Sequence, residues 1–141
     1  MKQELQNKLF TKYPRLFKDH NKSTAESCMG WGITCGDGWY DLLDSICQEF
    51  MDTCPDALYF EQVKEKFGAL VIYTNYDGTG NKVVKEIRQI ASRESTKICE
   101  FCGSIEDVQK RPQGYIRYLC PTCMENYYKI LEERWVNVRE A

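Results

Sequence analysis

Two short cysteine pairs set the tightest limit on what this chain can fold into. Two residues separate Cys99 from Cys102, two separate Cys120 from Cys123, and seventeen lie between the pairs. A C-x2-C pair turns two thiolates toward one point on a tight knuckle, and two such pairs at this separation close a tetrahedral site. Four thiolates leave no open coordination position. The spacing therefore predicts one structural Zn2+ per chain, held by Cys99, Cys102, Cys120 and Cys123. Gly103 supplies the backbone freedom that the knuckle needs. Between the pairs, two short strand-like runs flank Arg111-Pro112-Gln113-Gly114, which is turn chemistry. Pro121 suits a first helical turn, and Met124, Tyr127, Tyr128, Leu131, Trp135 and Val138 recur at helical spacing after it.

Knuckle, hairpin and ligand-bearing helix, in that order over residues 97–138, resemble the treble-clef zinc finger. The resemblance implies a fold and not a function. Catalytic treble clefs of the nuclease kind need histidines on the hairpin and helix, but His20 is the only histidine and lies far upstream. A zinc deaminase needs an open metal position and a Pro-Cys-x-x-Cys element, whereas here Pro121 follows Cys120. The chain is expected not to be an enzyme.

The remaining sequence reads as an α+β unit, residues 1–96, with the cysteine module, 97–141, appended. Leu5, Leu9, Phe10 and Tyr13 predict a helix over 2–13 that Pro14 ends. Trp39, Leu42, Leu43, Ile46, Cys47, Phe50 and Met51 predict a second helix, with Asp37 as its N-cap and Pro55 beyond its end. Val-, Ile-, Tyr- and Phe-rich runs predict strands near 59–66 and 69–75, reversing at Phe67-Gly68. A third helix is expected from Asn81 to Glu94, with Val83, Val84, Ile87, Ile90 and Ala91 on its apolar face. The expected architecture is thus helices on a small antiparallel sheet, closed by a treble-clef-like zinc module with four cysteine ligands.

Charge bears on partners. Residues 21–80 carry three Lys/Arg against ten Asp/Glu, and residues 97–141 carry seven of each. Neutralising phosphates supplies most nucleic-acid affinity, so a neutral zinc module disfavours DNA or RNA. No apolar run approaches the length of a membrane span, and the amphipathic N-terminus lacks a secretory h-region. A cytoplasmic setting is expected, and with it reduced cysteines.

The run Ser27–Cys47 gathers Gly30, Gly32, Gly36, Gly38, Trp31, Trp39 and three cysteines. Cys28, Cys35, Cys47 and Cys54 are spaced by six, eleven and six residues, with no C-x2-C pair to suggest a second metal. Large aromatics on a glycine-shaped backbone make binding anchors. The expected partner surface is Trp31, Asp37, Trp39 and Tyr40, with Asp41, Asp44 and Asp52 steering a basic partner. Trp39 also begins the apolar helix face, which leaves a core role open.

The runs "CMGWGITCGDGWYDLLDSIC", "QVKEKFGALVIY", "CEFCG" and "LCPTC", in that order, resemble a group of small phage and prophage proteins of unassigned function. That pattern has a cysteine or similar residue where Gly30 stands and a glycine where Ala69 stands, which tells against a ligand at position 30. The resemblance implies a bacterial host cytosol, and an accessory protein that binds a host protein and interferes with it, such as an inhibitor of antiviral defence. Two alternatives stay open: a nucleic-acid-binding regulator using the zinc module, and sequestration of a small nucleotide-like ligand by the Gly-Trp loop.

Overall fold

The computed structural model describes residues 1–140. Four helices, α1 (Gln3–Lys12), α2 (Tyr40–Thr53), α3 (Lys82–Ser95) and α4 (Pro121–Glu140), accompany five strands. These are β1 (Ile33–Thr34), β2 (Phe60–Lys66), β3 (Ala69–Thr74), β4 (Gln109–Lys110) and β5 (Tyr118–Leu119). β2 and β3 form the expected antiparallel hairpin, with Lys66 opposite Ala69 across a two-residue loop. β1, two residues without a strand signal in the sequence, pairs with β2 in parallel and makes the sheet mixed.

Alternation sorts the faces of the sheet. Val63, Leu70 and Ile72 are buried in one core with Leu9 of α1, Leu43, Ile46 and Phe50 of α2, and Val84, Ile87 and Ala91 of α3. Gln62, Lys64, Val71 and Tyr73, on the other face, are half-exposed. Phe17 meets Phe60 edge-on at 5.1 Å, and Phe60 meets Phe50 at 5.2 Å, geometries that aromatic quadrupoles favour. Leu16 and Phe17 are fully buried although they lie outside any helix. The Leu16 carbonyl accepts from the Phe60 N–H at 2.8 Å, which ties the segment after α1 to the start of β2.

α3 starts as capping chemistry dictates, with the Asn81 side chain accepting from the Val84 N–H at 3.1 Å. It also shields the β3 edge. Ser95 Oγ accepts from the Leu70 N–H at 2.8 Å, and Arg88 Nε donates to the Ile72 carbonyl at 2.6 Å. An open strand edge is a template for unwanted pairing, and these two side chains occupy it.

Asp37 is not the N-cap of α2. A single 3-10 turn, Asp37–Trp39, leads into the helix, and no side chain caps it. The Asp37 carboxylate instead accepts from the Lys2 N–H at 2.7 Å. Trp39 is fully buried and cannot meet a partner. Its place at the head of the apolar face of α2 puts the indole between that helix and the cysteine module, where Nε1 donates to the Ile98 carbonyl at 3.2 Å.

Candidate metal centre

The first cysteine pair lies between α3 and the β4–β5 hairpin, and the second pair spans the end of that hairpin and the first turn of α4. The Cys99 N–H donates to the Ser104 carbonyl at 2.8 Å, and the Gly103 N–H donates to the Cys99 carbonyl at 2.9 Å, which folds the knuckle. Gly103 has φ +81°, a left-handed conformation that glycine adopts without a Cβ penalty. Opposite it, the Met124 N–H donates to the Cys120 carbonyl at 2.9 Å, so the last two cysteines ride on the start of α4.

The four Sγ atoms lie within 4.8 Å of one another. Cys102 Sγ and Cys120 Sγ are 3.6 Å apart, too far for a disulfide. A tetrahedral ion with metal–sulfur bonds of about 2.3 Å needs edges of about 3.8 Å, so the cluster has the dimensions of a metal site. Burial pushes the Cys99 thiol up, but backbone hydrogen bonds at Cys120, Cys102 and Phe101 outweigh it and bring the group down to about 7. At Cys123, burial and then contact with Cys120, Cys102 and Cys99 push the thiol well up. Crowded thiols resist joint ionisation, and a bound divalent cation removes that resistance.

The Gly-Trp run now has a structural role that its spacing did not disclose: it seats the first knuckle. The Gly38 N–H donates to the Glu100 carbonyl at 2.8 Å, and the Gly36 N–H donates to Glu100 Oε2 at 3.0 Å. A Cβ at Gly38 would lie 2.5 Å from Gly103 N, 2.7 Å from Glu100 O and closer still to Cys99 O, all backbone atoms. Glycine at 38 is thus demanded by close approach. The Glu100 side chain is 2% exposed and pairs with Arg117 Nη1 at 2.6 Å. Burial raises the Glu100 carboxyl, and the Arg117 guanidinium opposes that rise. Arg117 in turn lies over the rings of Phe101, Tyr115 and Tyr127 at 5.2–5.6 Å. The pair therefore joins the Gly-Trp loop, the knuckle, the β5 side of the hairpin and α4.

The other expected site residues disperse. Trp31 is 66% exposed, between Gly30 and Gly32. Tyr40 is half-buried against the core. Asp41 and Asp52 are exposed on α2, where Asp52 accepts from Gln48 Nε2 at 2.9 Å. Asp44 does not belong to a free acidic surface. It accepts from Tyr13 Oη at 2.6 Å and from Lys12 Nζ at 2.9 Å, so its charge is engaged in holding α1 to α2. Cys35, Cys47 and Cys54 are buried core residues, and burial pushes the Cys35 thiol up to about 12. Among the described residues, Cys99, Cys102, Cys120 and Cys123 form the only group of three or more potential metal ligands.

A second surface was not foreseen from the sequence. The apolar periodicity along α4 marked a helix, but no residue of α4 is fully buried. Ile130, Trp135, Val136 and Val138 are 47–67% exposed. The continued periodicity past Leu131 was a signal, since the short hairpin can cover only the first turns. No helix is long and apolar enough to cross a membrane among the described residues. Comparison with protein-family models, with curated proteins and with solved structures finds no match in any of the three.

Proposed function

We propose that this chain is a non-enzymatic, zinc-stapled phage accessory protein that binds a host protein in the bacterial cytosol and interferes with it, as an inhibitor of antiviral defence does. The observation that carries the reading is the set of large apolar side chains left exposed on the second half of α4. Ile130, Trp135, Val136 and Val138 lie in solvent, and nothing among the described residues covers them. Large apolar side chains left in solvent, with a tryptophan among them, mark a protein-binding region. Trp31, also exposed, offers a second anchor on a turn whose flanking Gly30 and Gly32 pack closely on Lys22 and Gln6. Zinc fits the all-thiolate donor set, and four protein ligands suit a structural ion. Its role is to hold the hairpin and the base of α4 in place, so that the protruding helix is presented in one direction.

The test is affinity capture from a bacterial host with the wild-type chain, Trp135→Ala and Trp31→Ala. It is followed by an assay of the captured host protein with and without the purified chain. The proposal expects one host protein to be retained and inhibited by wild type, and capture to weaken about tenfold or more for Trp135→Ala, as at a binding hot spot. Equal capture by all three chains, or capture without any effect on the host protein, contradicts it.

A further inference from the structure

The β2–β3 turn violates local rules in a way that the fold does not need. The loop is two residues long, and both have positive φ, Phe67 at 51° and Gly68 at 83°. That is the type I′ geometry, which favours Asn-Gly because asparagine tolerates the left-handed region. Gly68 is required: a Cβ there would lie 2.9 Å from the side chains of Ile116 and Tyr118. Phe67 is not. Its ring is 73% exposed, so it contributes little to the core while holding a conformation that bulky residues avoid. A residue that is costly in both backbone and hydration, with no packing return, points to a binding role.

Its surroundings say what would bind. Phe67 stands on one rim of a cleft of about 460 Å3 between the β2–β3 turn and the turn of the β4–β5 hairpin. Tyr115, 64% exposed, stands on the other rim, and Gly114 and Ile116 complete that wall. Lys64 and Lys66 line the β2 side, and neither is paired with a carboxylate among the described residues. Arg111 is not part of this lining: Nη1 donates to the Tyr115 carbonyl at 3.2 Å and the guanidinium lies over the rings of Tyr127 and Tyr128, so it braces the Tyr115 turn from behind. Glu65, the one acid in the lining, is engaged in accepting from the Gly68 N–H at 2.8 Å. Arg117 lies over one face of Tyr115 and Lys66 Nζ is 5.8 Å from the Phe67 ring centre, yet both rings stay largely exposed. Exposed aromatic rings beside lysines without a carboxylate partner form the combination that stacks a base and neutralises its phosphate. The volume is in the range of small-molecule sites, about 300–1,000 Å3.

We propose that the cleft between Phe67 and Tyr115 binds a nucleotide, with the base against these rings and the phosphate toward Lys64 and Lys66. A free nucleotide and one within a single strand present the same chemistry to the cleft. This site is separate from the exposed apolar residues of α4 and from Trp31, so it stands or falls apart from the protein-binding reading.

The experiment is calorimetric titration of the metal-loaded chain with adenosine 5′-monophosphate and, separately, with a short oligodeoxyadenylate. Wild type is compared with Phe67→Asn and Tyr115→Ala, and melting temperature is measured in parallel. Binding of either probe to wild type is expected, weakened about tenfold or more in both variants, the size of loss that follows removal of one stacking aromatic. Binding of the mononucleotide identifies a free ligand, and binding of the oligomer alone identifies a single strand; either supports the site. Phe67→Asn should melt at or above the wild-type temperature, because asparagine suits the turn. Absence of binding for both probes overturns the proposal, as does undiminished binding by both variants. A clear fall in melting temperature for Phe67→Asn overturns the argument that the ring is there for a ligand. Displacement of the probe by an acidic peptide more readily than by inorganic phosphate would overturn it too, and assign the cleft to a protein instead.

Discussion

Replacing Gly38 by Ala adds one methyl group where the Gly-Trp loop meets the metal knuckle. Gly38 does not need glycine for its φ, so the effect is steric. The new Cβ would lie 2.5 Å from Gly103 N, 2.7 Å from Glu100 O and nearer still to Cys99 O. Overpacking costs about 1–3 kcal/mol where side chains can adjust. Here the neighbours are backbone atoms of a knuckle fixed by its own hydrogen bonds, so the upper end, about 3 kcal/mol, applies. Moving the knuckle away also strains the Gly38–Glu100 hydrogen bond of 2.8 Å and the Trp39–Ile98 bond of 3.2 Å. Each is worth about 1 kcal/mol, which brings the total to about 5 kcal/mol. At about 2–4 °C per kcal/mol for a chain of this size, the melting temperature should fall by about 10–20 °C. The assay is thermal unfolding followed by circular dichroism, with a metal-sensitive dye recording release of the ion. Gly78→Ala is the control, since Gly78 has φ +82° and nothing within 4 Å. It should cost only the left-handed strain, about 1–2 kcal/mol, and leave metal release unchanged. If Gly38→Ala melts no lower than Gly78→Ala and releases its metal no sooner, the loop is not the seat of the knuckle.

Three further outcomes follow from the same contacts. Arg117→Ala leaves the 2%-exposed Glu100 without its cation and should destabilise by about 3–5 kcal/mol in urea unfolding; a change within error would mean that the pair is dispensable. Trp39→Ala should cost about 3–5 kcal/mol because the indole is fully buried, whereas Trp31→Ala, 66% exposed, should leave the urea midpoint unchanged; equal losses would refute the assignment of one to the core and one to the surface. The Tyr13 hydroxyl, and then Lys12, hold the Asp44 carboxyl below its ordinary value, so its contribution is fully present above the ordinary carboxylate range and is lost as pH falls through the lowered folded value. The difference in melting temperature between wild type and Asp44→Asn should therefore shrink on acidification, and a difference independent of pH would contradict the ion pair.

Local signals made most of the elements legible. Period-3.6 runs marked all four helices, and the Val-, Ile-, Tyr- and Phe-rich composition of the run marked β3. The cysteine spacing identified the four residues that the fold brings together. Contacts between distant parts of the chain were not legible. Gly36 and Gly38 look like flexible loop residues until Glu100, more than sixty positions away, is seen against them. Asp44 lies on what reads as a solvated helix face, because Lys12 and Tyr13 come from another part of the chain. β1 is only two residues long, too short for an alternation signal. The exposure of Trp135 was hidden for the converse reason: periodicity shows which residues share a helix face but not where the covering layer stops.

The central claim is that a metal ion at Cys99, Cys102, Cys120 and Cys123 staples the knuckle, the hairpin and α4 to the rest of the chain. Elemental analysis of protein purified without chelators, paired with a native mass spectrum of wild type and Cys120→Ser, tests it most directly. The account predicts one zinc per wild-type chain, none in Cys120→Ser, and a shift of the variant to the high charge states of a partly unfolded chain, since metal binding in such a site is folding free energy of about 10 kcal/mol. Wild-type protein free of metal yet folded, or a Cys120→Ser chain as compact as wild type, would contradict it.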